Sequence, residues 1–268
     1  MAIVPRRVDG SYDEALFEFI AESEGFVPRV YSDHLGIPTL GLGYAMLIKA
    51  ANWPLRPGMD ADLSAVGVVL NDSELALLRA VGRTLARGAV DEAKALIAPW
   101  QPGEDSASLN AFSFLITREQ GRTLFEKIRP GYEAILERKL GSELLTGLAG
   151  SRELKVLFSL AYNNPSLIGP GLTAALKEGA REKAWYEIRF GSNRDRHHGL
   201  QNRRDEEAET FGALNASPTD AERQALQALV EARRAEMSAY LAETGRSVDE
   251  IEGVFAALEE DARPTRLA

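Results

Sequence analysis

Cysteine is absent from the 268 residues, which excludes disulfides, thiolate metal sites and cysteine nucleophiles. Such a chain is stable in reducing and oxidising surroundings alike, so the absence does not fix a compartment. Histidine is scarce, with three residues: His34, His197 and His198. The last two are adjacent, so they point apart on a helix or strand, and no third ligand stands at metal-site spacing. No metal site and no cofactor are therefore expected. A basic excess is also missing. The formal net charge is -9 with pI ≈ 5.1, so nucleic acid is not expected as a partner, because a phosphate binder needs a concentrated basic surface. Long apolar runs are lacking as well. The N-terminus, MAIVPRRVDGSYDE, carries basic residues with no continuous apolar stretch behind them, so neither a signal peptide nor a membrane span is expected. There is no internal repeat and no low-complexity tract.

What remains is ordinary globular material, 45% hydrophobic and 26% charged, enough for one large core or two modest ones. Residues 1–10 read as a short arm. Ser11 with Glu14 is a capping-box signature, and Leu16, Phe19 and Ile20 then recur at helical spacing up to Glu24-Gly25, where glycine suits the helix stop. From 27 to 44 the density of Gly, Pro and β-branched residues predicts short strands joined by turns. A turn-rich connector, 53–58, leads to helices over 72–87 and 90–98. The run 99–108 is read as a loop. Thr117 with Gln120 opens a helix to 129, which Pro130-Gly131 should interrupt before another over 132–140. Further helices are expected over 154–162, 172–177, 181–190 and 201–211. A polar loop is expected over 191–199. Two charged amphipathic helices follow, about 219–243 and 248–259, and by default form an exposed, salt-bridged hairpin.

The chemistry concentrates in EGFVPRVYSDHLGIPTLGLG, residues 24–43. Two carboxylates, Glu24 and Asp33, and one hydroxyl, Thr39, sit on or beside a tight glycine-rich hairpin at a helix end. Splitting a glycosidic bond needs one carboxyl to protonate the leaving oxygen and a second group to activate water or attack the sugar. The acid must hold its proton near neutral pH, and the outward carbonyl dipoles of a helix C-terminus push Glu24 that way. Asp33 suits the second role, with Thr39 holding a water beside it. Other residues suited to contacting sugar are His34, next to Asp33, and Trp53, in the loop after the hairpin. Trp100 and Trp185 are more simply core. Asn163 either contacts sugar or satisfies helix-end carbonyls.

The combination Glu24-Gly25, Tyr31-Ser32-Asp33 and Gly36-Ile37-Pro38-Thr39-Leu40-Gly41-Leu42-Gly43 resembles the catalytic region of phage-type lysozymes and endolysins, glycoside hydrolase family 24. Softer matches are Ile116–Gln120 running on to Tyr132, Tyr162-Asn163-Asn164-Pro165 without the usual following glycine, and Gly199-Leu200-Gln201-Asn202-Arg203-Arg204 with Glu207 and Phe211. The likeness covers about 11–44 and 113–214. It departs at Tyr44, where many relatives carry His, and at Leu40. It implies Glu24 as general acid, Asp33 and Thr39 as positioners of the attacking water, Tyr31 at the substrate, and Arg203 as an ion-pair partner of Glu24.

That likeness implies an α+β, predominantly helical fold: a small lobe with a β-hairpin, a larger helical lobe and a cleft between them. The expected organisation is an arm (1–10), a lysozyme-like domain (11–214, with a helical insertion about 45–112) and a C-terminal helical extension (215–268). The expected activity is a muramidase that cleaves bacterial peptidoglycan between N-acetylmuramic acid and N-acetylglucosamine, with inversion. The alternatives are a non-catalytic peptidoglycan-binding or structural module of a phage tail or secretion apparatus, and a lytic transglycosylase. The joint presence of Asp33 and Thr39 favours hydrolysis over the latter. The expected route is synthesis in the cytoplasm and action on the periplasmic cell wall. Release would be through a holin, as an endolysin, or by a secretion system, as an antibacterial effector with an immunity protein or carrier as partner.

Overall fold

A computed structural model describes residues 3–97, 111–192 and 198–263. The loop expected at 99–108, Trp100 and His197 lie outside them. The fold is predominantly helical with one three-stranded antiparallel sheet. Two compact units form, one of residues 17–131 and one of residues 1–16 with 132–268.

Helix α1, Tyr12–Glu24, is capped by Ser11, whose Oγ accepts from the Glu14 N–H at 3.4 Å. Gly25 ends it with φ 78°, the left-handed geometry that glycine adopts without a Cβ penalty. Within residues 17–131, β1 (Val27–Ser32), β2 (Pro38–Gly41) and β3 (Tyr44–Ala45) follow in sheet order. Val27 pairs with Gly41 and Tyr31 with Thr39, so residues 28–30 bulge opposite Leu40 alone. Pro28, which has no N–H for a ladder, sits in that bulge, and its carbonyl accepts from the Ile116 N–H at 2.8 Å. Met46 and Arg56 extend the pairing past β3, through Met46 N–H to Pro38 and Arg56 N–H to Met46, both 2.8 Å.

Besides residues 17–24 of α1, the described helices of this unit are α2 (Met59–Ala65), α3 (Asp72–Ala86), α4 (Val90–Leu96) and the first part of α5 (Arg118–Leu140). Asn71 and Glu74 cap α3 reciprocally, and the buried Glu74 carboxylate also accepts from the Ser113 N–H and Oγ at 2.7 and 2.8 Å. The break expected at Pro130-Gly131 is not there, because α5 runs through both residues. A single proline removes one backbone donor, and the flanking turns retain enough hydrogen bonds and buried side chains to continue the helix. Leu124, Phe125 and Leu136 are buried on either side of it. Pro130-Gly131 marks instead the boundary between the two units.

The other unit holds the rest of α5 with α6 (Ser142–Gly147), α7 (Arg152–Asn163), α8 (Pro170–Glu178), α9 (Arg181–Tyr186), α10 (His198–Phe211), α11 (Asp220–Glu243) and α12 (Val248–Asp261). A π turn, Glu187–Gly191, extends α9. The exposed hairpin expected of the last two helices is half right. Surface pairs such as Arg233–Glu236 (2.7 Å) are present, but Leu226, Val230, Met237 and Leu241 form a buried stripe on α11. Tyr240 meets the Phe190 ring edge-on at 5.2 Å.

Two buried charge networks lock this unit. Glu153 accepts from the Arg6 N–H at 3.0 Å and pairs with Arg181, whose Nη2 also donates to the Val4 carbonyl at 2.9 Å. The N-terminal arm is thereby laced to α7 and α9. Glu207 Oε1 accepts from Ser159 Oγ (2.6 Å), Arg203 (3.2 Å) and Arg204 (2.9 Å). Burial pushes the Glu207 carboxyl up, against the pull of Arg204, Ser159 and Arg203.

Candidate active site

The hairpin of residues 27–45 holds most of the polar residues that the sequence singles out. Directly opposed residues of an antiparallel pair share one face of a sheet, so Tyr31 and Thr39 project together. Asp33 follows Tyr31 by two positions. Its Oδ1 accepts from the N–H groups of Leu35 and Ile37, both at 2.8 Å, and its own N–H donates to the Ile37 carbonyl at 3.0 Å. One carboxylate oxygen therefore builds the turn, while Oδ2 takes no hydrogen bond from the described residues. Thr39 is 4% exposed, and its hydroxyl donates to the Ile37 carbonyl at 3.0 Å. With its proton so placed, Oγ1 presents lone pairs alone. It is an acceptor for any water that comes to it.

Glu24, the last residue of α1, is exposed, so protein burial does not supply the environment a general acid needs. It nevertheless stands close enough to the hairpin to act on Tyr31. Burial pushes the Tyr31 phenol up to about 12, and the negative charges of Asp33 and Glu24 push the same way. Glu24, Tyr31, Asp33 and Thr39 are thus brought into one neighbourhood. His34 is exposed in the adjoining turn.

Trp53 lies in a loop closed by the Leu47–Leu55 bridge. It is half-buried and has φ 44°, alone among the described non-glycine residues in being left-handed. For a bulky side chain that conformation is uncommon and is held only by its surroundings. Asn163 and Arg203 belong to the other unit. Asn163 is half-buried at the end of α7; the neighbouring Asn164 donates its backbone N–H to the Leu160 carbonyl at 3.0 Å, and its side chain accepts from the Ser166 N–H at 2.9 Å to start the turn at 165–167. Within its unit Arg203 is buried and donates to Glu207 and to Ser159, so it is no surface decoration of α10.

Tyr44, where the resemblance has His, pairs with Leu40 and so projects from the opposite face to Thr39. It is fully buried, its hydroxyl donates to Asp62 Oδ2 at 2.8 Å, and the Arg56 guanidinium lies 4.8 Å from its ring centre. Burial raises the Tyr44 phenol further, helped by Asp62. The Tyr44–Asp62 link, which ties α2 to the hairpin, has no signal in sequence because any surface Asp is equally eligible. Trp185 is core, as expected.

A groove of about 1000 Å³ lies elsewhere, between α10, α12 and the 212–218 segment, and none of the predicted site residues lines it. Three of its charges pair within it, Asp205 with Arg189 at 2.7 Å and with Arg246 at 2.8 Å. Among the described residues no group of three His, Asp or Glu could hold a metal ion, and no helix is long and apolar enough to cross a membrane. No family model, curated protein or solved structure matches the chain.

Proposed function

We propose that the protein is a peptidoglycan hydrolase, a muramidase that cleaves the β-1,4 bond between N-acetylmuramic acid and N-acetylglucosamine. The observation that carries this is the hairpin itself, in which Thr39 faces Tyr31 across the strand pair with Asp33 in the turn two residues on, next to the helix that Glu24 ends. Glu24 donates its proton to the bridging oxygen as the bond to the anomeric carbon breaks. A water gives one hydrogen bond to Asp33 Oδ2 and one to Thr39 Oγ1, leaving a lone pair for the anomeric carbon. As it attacks, its proton passes to Asp33, and configuration inverts. Because Glu24 is exposed in the free protein, bound sugar supplies the desolvation that keeps it protonated. The lysozyme-like lobes and cleft, and delivery through a holin or secretion system, belong to the same proposal.

One observation favours a second reading. An exposed Glu24, together with an Asp33 oxygen committed to the turn, also suits a glycan-binding module without catalysis. Clearing of a purified peptidoglycan suspension by wild type and Glu24→Gln decides between them. The enzyme clears, and its variant, isosteric but without the donatable proton, does not. A wild type that binds the wall without clearing it is the binding module.

A further inference from the structure

The turn bearing Asp33 does not stand alone. Gly36, at φ 82°, presses its Cα face onto α3 and α4. A Cβ there would lie 3.1 Å from Leu85 Cδ2, 3.2 Å from the Ala93 Cβ and 3.2 Å from the Val90 carbonyl. One turn earlier on α3, Gly82 receives the carbonyl of the left-handed Trp53, which a Cβ at Gly82 would approach to 2.7 Å. Residues 82 and 85 are three apart, so a single face of α3 meets both segments. This helix belongs to the stretch that has no counterpart in the phage-type lysozyme pattern.

We propose that α3 and α4 are the positioning platform of the site, with Leu85 and Ala93 fixing the Asp33 turn and Gly82 fixing Trp53 at the substrate. This rests on the muramidase reading. Packed interiors transmit displacements because they have little free volume. The two methyl groups that valine adds at Ala93 must therefore move Gly36, and with it the carboxylate that the N–H groups of Leu35 and Ile37 hold from either side. A methyl group added at Gly82 must move Trp53. Neither residue touches the reacting atoms, and each acts through another.

The test compares Ala93→Val and Gly82→Ala in the full chain, using initial rates on soluble peptidoglycan fragments together with amide hydrogen exchange. For Ala93→Val the expected result is a fall in kcat of about tenfold to a hundredfold with KM little changed, since a displacement near 1 Å can cost about a hundredfold. Exchange at the Leu35 and Ile37 N–H groups should quicken in the same variant. Adding Leu85→Ala to it should restore kcat in part, by opening the space the valine needs. For Gly82→Ala the expected result is a raised KM with kcat retained. Leu85→Ala alone, a truncation that crowds nothing, should also quicken exchange at Leu35 and Ile37.

Unchanged exchange at Leu35 and Ile37 in Ala93→Val and in Leu85→Ala overturns the platform whatever the rates do. So does an equal fall in kcat from both variants with KM unchanged in both, which would mark loss of folded enzyme. A wild type that cleaves nothing while the exchange effects appear overturns the muramidase reading, and with it the catalytic role of the platform. The two failures are thereby told apart.

Discussion

Tyr31 stands directly opposite Thr39 in the pairing of β1 with β2, so a phenol and a buried hydroxyl share the face on which Glu24 and Asp33 exert their charge. Tyr31 is pushed up from 10.0 to about 12, so its proton binds more tightly in the folded state. The stability associated with that proton is complete below the ordinary tyrosine range and is lost as pH rises through about 12. Difference spectrophotometric titration of wild type against Tyr31→Phe should show a phenolate appearing near the upper value. The variant should lose less stability across that alkaline window. A phenol titrating at the ordinary value would mean that Tyr31 is neither buried as described nor beside the two carboxylates.

Asp33 has two separable duties. Asp33→Asn keeps an Oδ1 able to accept from Leu35 and Ile37 but lacks a second acceptor to take the water's proton. Its activity should fall by about a hundredfold or more with thermal stability close to wild type. Asp33→Ala loses the turn as well, and should cost a further ~1–3 kcal/mol in denaturant unfolding. Equal stability for the two variants would show that the turn does not depend on the carboxylate.

Glu207 neutralises Arg203 and Arg204 in a setting where all three are buried. Glu207→Ala removes the carboxylate that both guanidinium groups share, and breaking such a network from one side typically costs about 3–5 kcal/mol. Chemical denaturation should show that loss. Ser159→Ala, which removes one neutral donor, should cost roughly 1 kcal/mol.

Leu241 is fully buried on α11. Leu241→Ala should lower stability by about 2–5 kcal/mol, as core truncations do, as measured by thermal or urea unfolding. A change within a few tenths would return α11 and α12 to the status of a surface appendage.

Local signals in the sequence were faithful where the physics is local. Ser11 caps the helix it announces, and Thr117 with Gln120 forms the reciprocal box read from their spacing, because a cap needs only partners three residues away. Gly25 stops α1 for the same reason. The hairpin and the grouping of Asp33 with Thr39 were legible because alternation and turn chemistry set register. What lay beyond reach depends on distant partners. Glu153 meets Arg6 across 147 residues and Glu207 meets Ser159 across 48, and no spacing rule connects such pairs. The platform under Asp33 left one trace, a glycine inside the otherwise regular α3, where a backbone approaches closely. Pro130 misled because its local cost is small beside the packing of a long helix.

The proposed catalytic role of Glu24 is tested most directly by the products formed from purified peptidoglycan with wild type and Glu24→Gln, resolved by mass spectrometry and by NMR of the fresh anomeric centre. Wild type should release fragments ending in reducing N-acetylmuramic acid, first formed with inverted configuration, and Glu24→Gln should release almost none. Fragments ending in anhydro sugar, cleavage that survives Glu24→Gln, or no cleavage by wild type would each contradict it.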